Sequence, residues 1–165
     1  MSSTTFKILD VPKNDRFQFD QVLRESFAGI YLWHAKRTLG GIELVRGAYI
    51  EDEPVGLAML RNIAPSAGYV YYIAVSPSYR RKGVGSALLD DAINYFSGNQ
   101  ANSIYASVEE GNAESLSLFE SRGFKPLSRD EFARKHGRLQ SKVMLAKMMV
   151  VYGEIILLKT LDVAR

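Results

Sequence analysis

The strongest constraint on how this chain folds lies at residues 73–86, where Ile-Ala-Val-Ser-Pro-Ser-Tyr-Arg-Arg-Lys-Gly-Val-Gly-Ser leads from strand-like sequence into helical periodicity. Residues 69–75 have the aromatic and β-branched content of a central strand, and Ser76-Pro77 ends it. Val84, Leu88, Ala92 and Phe96 then recur at every fourth position, beside Leu89 and Ile93, which is the spacing of an amphipathic helix. A strand, a basic turn and a helix N-terminus in that order can gather an anion. Successive N–H groups converge, and the helix dipole adds partial positive charge. Gly83 and Gly85 keep Cβ atoms out of the approach, while Arg80, Arg81 and Lys82 add charge. Such a turn suits a diphosphate. Its spacing matches neither a Walker loop nor a Rossmann fingerprint, and by itself it equally fits a solvated turn capping a helix.

The remaining residues place a sheet around this segment. Residues 6–9 read as a short first strand ended by Pro12, and Phe17, Phe19, Val22, Leu23 and Phe27 as a mainly helical pattern. A second helix follows over 30–39, up to Gly40-Gly41. Strands at 44–50 and 55–61 flank the charged turn Glu51-Asp52-Glu53-Pro54, and a loop through Pro65 and Gly68 leads to the central strand. Beyond the helix come a strand at 104–108, a helix at 112–122 stopped by Gly123, and a strand at 124–127. Ser128-x-x-Glu131 is a capping-box pattern opening a helical stretch to about residue 151, interrupted near Gly137, before a last strand at 155–161. This order predicts an α/β (α+β) fold with a mixed central sheet of about seven strands and helices on both faces. Residues 1–165 read as a single domain with a helical insertion at about 128–153.

Composition narrows the function classes. At 165 residues, 47% apolar and 24% charged, the chain is able to bury its own core. The net charge of +3 is modest, and no basic stripe interleaved with aromatics appears, so no nucleic-acid partner is expected. With no cysteine, and with His34 and His136 far apart, neither a thiol nucleophile nor a metal is expected. Residues 1–7 lack the apolar core of a secretory leader, and Lys147, Gly153 and Glu154 break the apolar stretch 143–158. The expectation is a cytoplasmic protein with no membrane span.

A second stretch, 112–124, reads Asn-Ala-Glu-Ser-Leu-Ser-Leu-Phe-Glu-Ser-Arg-Gly-Phe and follows a short strand as a helix ending in Gly-Phe. Together the two stretches resemble the GNAT superfamily of N-acetyltransferases. Its acetyl-CoA motif Arg/Gln-x-x-Gly-x-Gly/Ala is matched by Arg80, Gly83 and Gly85. Its later motif is matched by Asn112, Leu118, Gly123 and Phe124, with Ser115 in place of Ala and Phe119 in place of Tyr. The resemblance implies the acyl-CoA N-acyltransferase fold, in which strand 73–75 splays from strand 104–108 to leave a slot. Pantetheine would lie there against Ile73, Ala74 and Val75, while Arg80, Arg81, Lys82, Gly83, Val84, Gly85 and Ser86 surround the diphosphate. Asn112 would bond the pantetheine arm, Ser115 and Phe119 would line the thiol end, and the Val75 N–H would polarise the thioester carbonyl.

Departures from the family pattern fall on the proton-handling positions. Phe119 has no proton for the departing thiolate; with a thiol pKa near 8.5, leaving unassisted costs about 2 kcal/mol at pH 7. Ser107 stands five residues before the Asn, where related N-terminal acetyltransferases often carry Glu or His, and Tyr69 matches a strand tyrosine that others use. Tyr69, Val75 and Ser107 are therefore the candidate catalytic positions. Strand packing also accounts for Tyr69, Tyr71, Tyr72 and Tyr105, and Glu109 and Glu110 also read as a solvated loop end. An α-amine needs only about 1.4 kcal/mol to lose its proton at pH 7 and a lysine about 4.6, so a site without a strong base suits α-amines. A likeness in Tyr79-Arg-Arg-Lys-Gly and Ser121-Arg-Gly-Phe124 to ribosomal-protein and archaeal N-terminal acetyltransferases points the same way.

The expected function is acetyl transfer from acetyl-CoA to a peptide or protein α-amine, with a water relay to Tyr69. A small-molecule amine acceptor and a catalytically silent acyl-CoA-binding sensor stay open. Tyr31, Trp33 and His34 lie in the helical pair that, by resemblance, borders the acceptor, with packing over the sheet expected for Trp33. Val143, Met144, Met148, Met149 and Val151 fit a core helix, a homodimer face or an acceptor wall.

Overall fold

The computed structural model describes residues 4–162. In chain order its elements are β1 (Lys7–Asp10), a 3-10 segment (Lys13–Phe19), α1 (Asp20–Ser26), α2 (Gly29–Gly41), β2 (Leu44–Ile50), β3 (Glu53–Ala64), β4 (Ala67–Val75), a 3-10 turn (Pro77–Tyr79), α3 (Val84–Gly98), β5 (Ser103–Glu109), α4 (Ala113–Glu120), β6 (Lys125–Leu127), α5 (Arg129–His136), α6 (Arg138–Met148) and β7 (Glu154–Thr160). The strands form one sheet of seven, mixed as the element order predicted, in the order β1-β2-β3-β4-β5-β7-β6. No helix among the described residues is long and apolar enough to cross a membrane. The fold resolves into two compact units, one of residues up to 61 with 72–92, the other of 62–71 with residues from 93 onward.

In the first unit β1, β2 and β3 pair antiparallel. The mainly helical pattern read through Phe17 to Phe27 begins as a 3-10 segment over residues 13–19. Its two buried residues, Arg16 and Phe19, are three apart, which three residues per turn place on one side. Arg16 is 5% exposed, and its Nη1 donates to the carbonyls of Leu39 and Ile42, each at 2.8 Å. Those carbonyls close the C-terminal end of α2, where a cation meets both orphan acceptors and the negative end of the dipole. Arg46 on β2 grips Asp91 on α3 through Nε and Nη2 at 2.7 and 2.9 Å.

In the second unit β4 pairs parallel with β5 from Ala67↔Ser103 to Val70↔Ala106, and both strands continue past that ladder. β7 lies antiparallel between β5 and β6. The expected loop through Gly68 is shorter than predicted: only Pro65-Ser66 separates β3 from β4, and Gly68 belongs to the strand. A Cβ at Gly68 would stand 2.3 Å from Cδ1 of Phe96, so the glycine is needed for the α3 ring to reach the strand.

The capping box forms as read: Ser128 Oγ accepts from the Glu131 N–H at 3.1 Å, and Glu131 Oε2 accepts from the Ser128 N–H at 2.8 Å. Gly137, at φ +79°, separates α5 from α6. Phe132, Met144 and Met148 from these helices are buried with Tyr69, Tyr105 and Ile156 in one cluster. Of the five apolar residues with three open readings, Met144 and Met148 are therefore core, while Val143, Met149 and Val151 are exposed.

Replacing Gly68 by Ala is expected to cost about 1–3 kcal/mol, because the new methyl meets a ring that has no room to retreat. Gly40→Ala, in α2 with open space at its Cβ position, is expected to change stability by less than about 1 kcal/mol. Urea midpoints of the two variants against the parent check both.

Candidate active site

The first unit carries the turn. β4 ends in Ile73, Ala74 and Val75, and the Ser76 N–H bonds the Val55 carbonyl at 2.9 Å, fixing the strand's exit. Arg80, which the motif grouped with the diphosphate charges, turns back: its Nε donates to the Val75 carbonyl at 3.0 Å. Arg81 (φ +58°) and Gly83 (φ +83°) both lie in the left-handed region, which bends the backbone sharply into α3. Arg81, Lys82 and Gly83 are exposed, and Lys82 Nζ stands 5.3 Å from the Tyr79 ring centroid. The Ala87 N–H donates to the Gly83 carbonyl at 3.0 Å, so helical bonding begins there. The N–H groups of Val84, Gly85 and Ser86 fall in the helix's first turn, where an α-helix has no internal acceptor to offer. Nothing lies within 4 Å of a Cβ built on Gly83. A concave, positively polarised backbone with open space above it fits a diphosphate.

A carboxylate that sequence reading passed over belongs to the same unit. Glu25 on α1 accepts from Gln21 Nε2 at 2.9 Å and from the Ser76 hydroxyl, with Arg80 nearby. These hydrogen bonds, the Gln21 one first, hold its carboxyl below the usual glutamate range, so it is an anion at neutral pH. No spacing in the sequence announces it, because Ser76 comes from a distant segment. Trp33 is 52% exposed rather than packed on the sheet, with the Arg37 guanidinium 5.4 Å over its ring.

The second unit brings two of the three candidate catalytic residues together. Tyr69 and Tyr105 are register partners on the parallel ladder. The Tyr69 hydroxyl and Ser107 Oγ are 2.6 Å apart, and Tyr69 is only 1% exposed. The Tyr105 hydroxyl lies 2.5 Å from His136 Nε2, a pairing that no spacing in the chain announces because His136 lies on α5, 31 positions away. Burial pushes the Tyr105 hydroxyl up to about 12, so it stays protonated near neutrality. Burial, then Lys135, holds His136 below its ordinary value, which keeps that imidazole neutral.

Asn112 caps α4, its Oδ1 accepting from the Ser115 N–H at 3.1 Å. Phe119 is buried edge-on to Phe124, with centroids 5.1 Å apart. Glu109 and Glu110 are exposed, as a solvated loop end requires.

Comparison with known proteins gives the family. Residues 9–124 match the model of the Acetyltransferase (GNAT) family, and the chain belongs to that family. It is similar to [ribosomal protein bS18]-alanine N-acetyltransferase of Escherichia coli (strain K12), with 31% identity over 77 residues, 46% of this chain and 52% of that one. The chain thus spans about half the length of these ribosomal-protein relatives. It is also similar to mycothiol acetyltransferase of Corynebacterium glutamicum, with 26% identity over 73 residues, 44% of this chain and 25% of that one. Among solved structures, the ribosomal-protein-S18-alanine N-acetyltransferase of Escherichia coli superposes with TM-score 0.72 at 19% identity, covering 98% of this chain and 97% of that one. The PaiA N-acetyltransferase of Thermoplasma acidophilum, in complex with coenzyme A, superposes with TM-score 0.71 at 16% identity, covering 95% and 99%. At such identities the likeness is one of fold.

The Tyr105–His136 pair has a pH signature. A His whose folded value lies below its unfolded value contributes stability in full above the unfolded pKa of about 6.5, and loses it as pH falls. The stability advantage of the parent over His136→Gln is expected to be larger at about pH 7.5 than at about pH 5.5. Urea unfolding at the two values reads this out.

Proposed function

We propose that this chain transfers the acetyl group of acetyl-CoA to an amine by direct attack, with a peptide or protein α-amine as acceptor. The observation that carries the reading is the turn after β4, where two left-handed residues, Arg81 and Gly83, lead straight into the N-terminus of α3. Arg81, Lys82 and the N–H groups from Gly83 to Ser86 hold the diphosphate, with the buried Val84 side chain anchoring the turn. Arg80 acts on the protein itself, steadying Val75 through its carbonyl. Ile73, Ala74 and Val75 present backbone to the pantetheine, and the Val75 N–H polarises the thioester carbonyl. Asn112 commits Oδ1 to its cap, so its Nδ2 is the group it offers to a pantetheine carbonyl. Ser115 and the fixed ring of Phe119 line the thiol end.

In the reaction the acceptor ammonium first gives one proton to solvent through the Tyr69–Ser107 hydroxyl pair; the neutral nitrogen then bonds to the thioester carbon, the C–S bond breaks, and the nitrogen releases its second proton by the same route. Coenzyme A leaves as a thiolate and takes its proton from water, at a cost of about 2 kcal/mol. Neither hydroxyl of the pair is a strong base, which favours α-amines over lysines by about 3 kcal/mol of deprotonation cost. The relative named for acetylating an alanine of ribosomal protein bS18 supports a protein acceptor.

Thiol release from acetyl-CoA should be faster with a free α-amine peptide than with an N-blocked lysine peptide; preference for lysine would sink the proton-cost argument. Turnover with neither, despite saturable acetyl-CoA binding, would instead support a sensor, the reading that the missing Phe119 hydroxyl favours. Tyr69→Phe is expected to lower kcat by about tenfold or more and to alter its pH profile. An unchanged profile would remove Tyr69 from the proton path. Asn112→Asp keeps an acceptor for the cap but loses the donor, so it should raise KM for acetyl-CoA with little loss of stability. Asn112→Ala should also lose about 1 kcal/mol of stability.

A further inference from the structure

The insertion has an outer face that acetyl transfer does not use. Residues 132–153 contain Arg134, Lys135, Arg138, Lys142 and Lys147 and no Asp or Glu, a positive charge larger than the +3 of the whole chain. On α6, Arg138 and Lys142 are four apart, and so are Leu139 and Val143, which makes two neighbouring stripes on the helix surface. All four residues are exposed, Leu139 at 79% and Val143 at 44%. Beyond the helix Met149 is 52% exposed, and Tyr152 is fully so. Arg138 and Lys142 make no ion pair among the described residues. The opposite side of α6, through Ser141, Met144 and Met148, is buried in the second unit's core, so the helix is held with this face outward.

We infer that the outer face of α6 docks an acidic protein segment. Its carboxylates pair with Arg138 and Lys142 while apolar side chains at helical spacing lie along Leu139 and Val143. Charge chooses among the occupants. A second copy in a two-fold contact through this face would bring Arg138 and Lys142 against the same two cations. An anionic membrane needs a broad apolar face to enter the interface, whereas the broad apolar face of α6 is already buried. A nucleic-acid backbone would leave the Leu139–Val143 stripe unused. An acidic amphipathic segment satisfies both stripes at once.

The test is fluorescence anisotropy of a short labelled helical peptide carrying Leu at i, i+4 spacing and Glu on the adjoining face. A Gln-for-Glu version, phosphatidylserine vesicles and a single-stranded RNA oligomer serve as comparators. The Glu peptide is expected to bind about tenfold more tightly than the Gln peptide, and more weakly as salt rises. R138E/K142E and L139S/V143S should each lose about tenfold in that affinity while keeping the parent's melting curve and its acetyl-CoA binding. Four results overturn the proposal: binding of the Glu peptide that neither double variant changes; no binding of that peptide at all; vesicle or RNA binding that these variants abolish while the peptide is ignored; or self-association that the variants remove.

Discussion

Parallel pairing of β4 with β5 governs most of what the rest of the chain can do. Two parallel strands cannot be joined by a hairpin, so the chain must leave one end of β4, cross over, and return to the start of β5. The crossover is α3, and its route shows at both ends. At the far end the Asn102 N–H bonds the Ser66 carbonyl at 2.9 Å, and Phe96 sits where Gly68 has no side chain. At the near end the chain turns within a few residues of Val75, which puts the first turn of α3 just beyond the carboxyl end of a central strand. Open α/β sheets offer their ligand sites at such strand ends. The turn between β4 and α3 is thus a consequence of topology, and the glycines only let it be tight.

Three cations in this protein are assigned to backbone carbonyls rather than to carboxylates. Arg16 closes the end of α2, Arg80 returns to Val75, and Lys159 Nζ donates to the Arg122 carbonyl at 2.6 Å, beside the residue that ends α4. Each meets acceptors that a turn or helix end leaves over, and each is invisible to a reading that counts charge. The basic triplet 80–82 shows the cost of such counting. In sequence it is three equivalent charges, but in space Arg80 is structural, Lys82 lies by an aromatic ring, and Arg81 occupies the left-handed bend itself.

Local chemistry in the sequence therefore proved legible, and distant pairing did not. The capping box at Ser128 and Glu131, the stop at Gly123 and the break at Gly137 all rest on contacts or backbone geometry within a few residues, and all were readable. The glycine-turn and Asn-cap segments were readable for the same reason. Arg16, the Tyr105–His136 pair and the Glu25–Ser76 contact join residues 23 or more positions apart or elements whose packing no periodicity fixes. Trp33 was misread because an aromatic in a helix is usually core, whereas here a neighbouring guanidinium covers it at the surface.

The two buried tyrosines bear on what chemistry such a site can support. Tyr105 shares a hydrogen bond with a neutral imidazole and, with its hydroxyl raised to about 12, has no capacity to take up a proton near neutrality. Tyr69, equally deep in the core, shares a hydrogen bond with the Ser107 hydroxyl, which is no stronger a base. A proton arriving at this pair has no resting place in it and has to travel on to water. Under the proposed reaction, then, the protein does not set the basicity of the acceptor; the acceptor brings its own. Selectivity between amines follows from their intrinsic pKa values. A family member that exchanged Ser107 for a stronger base would gain access to more basic amines and lose part of that discrimination.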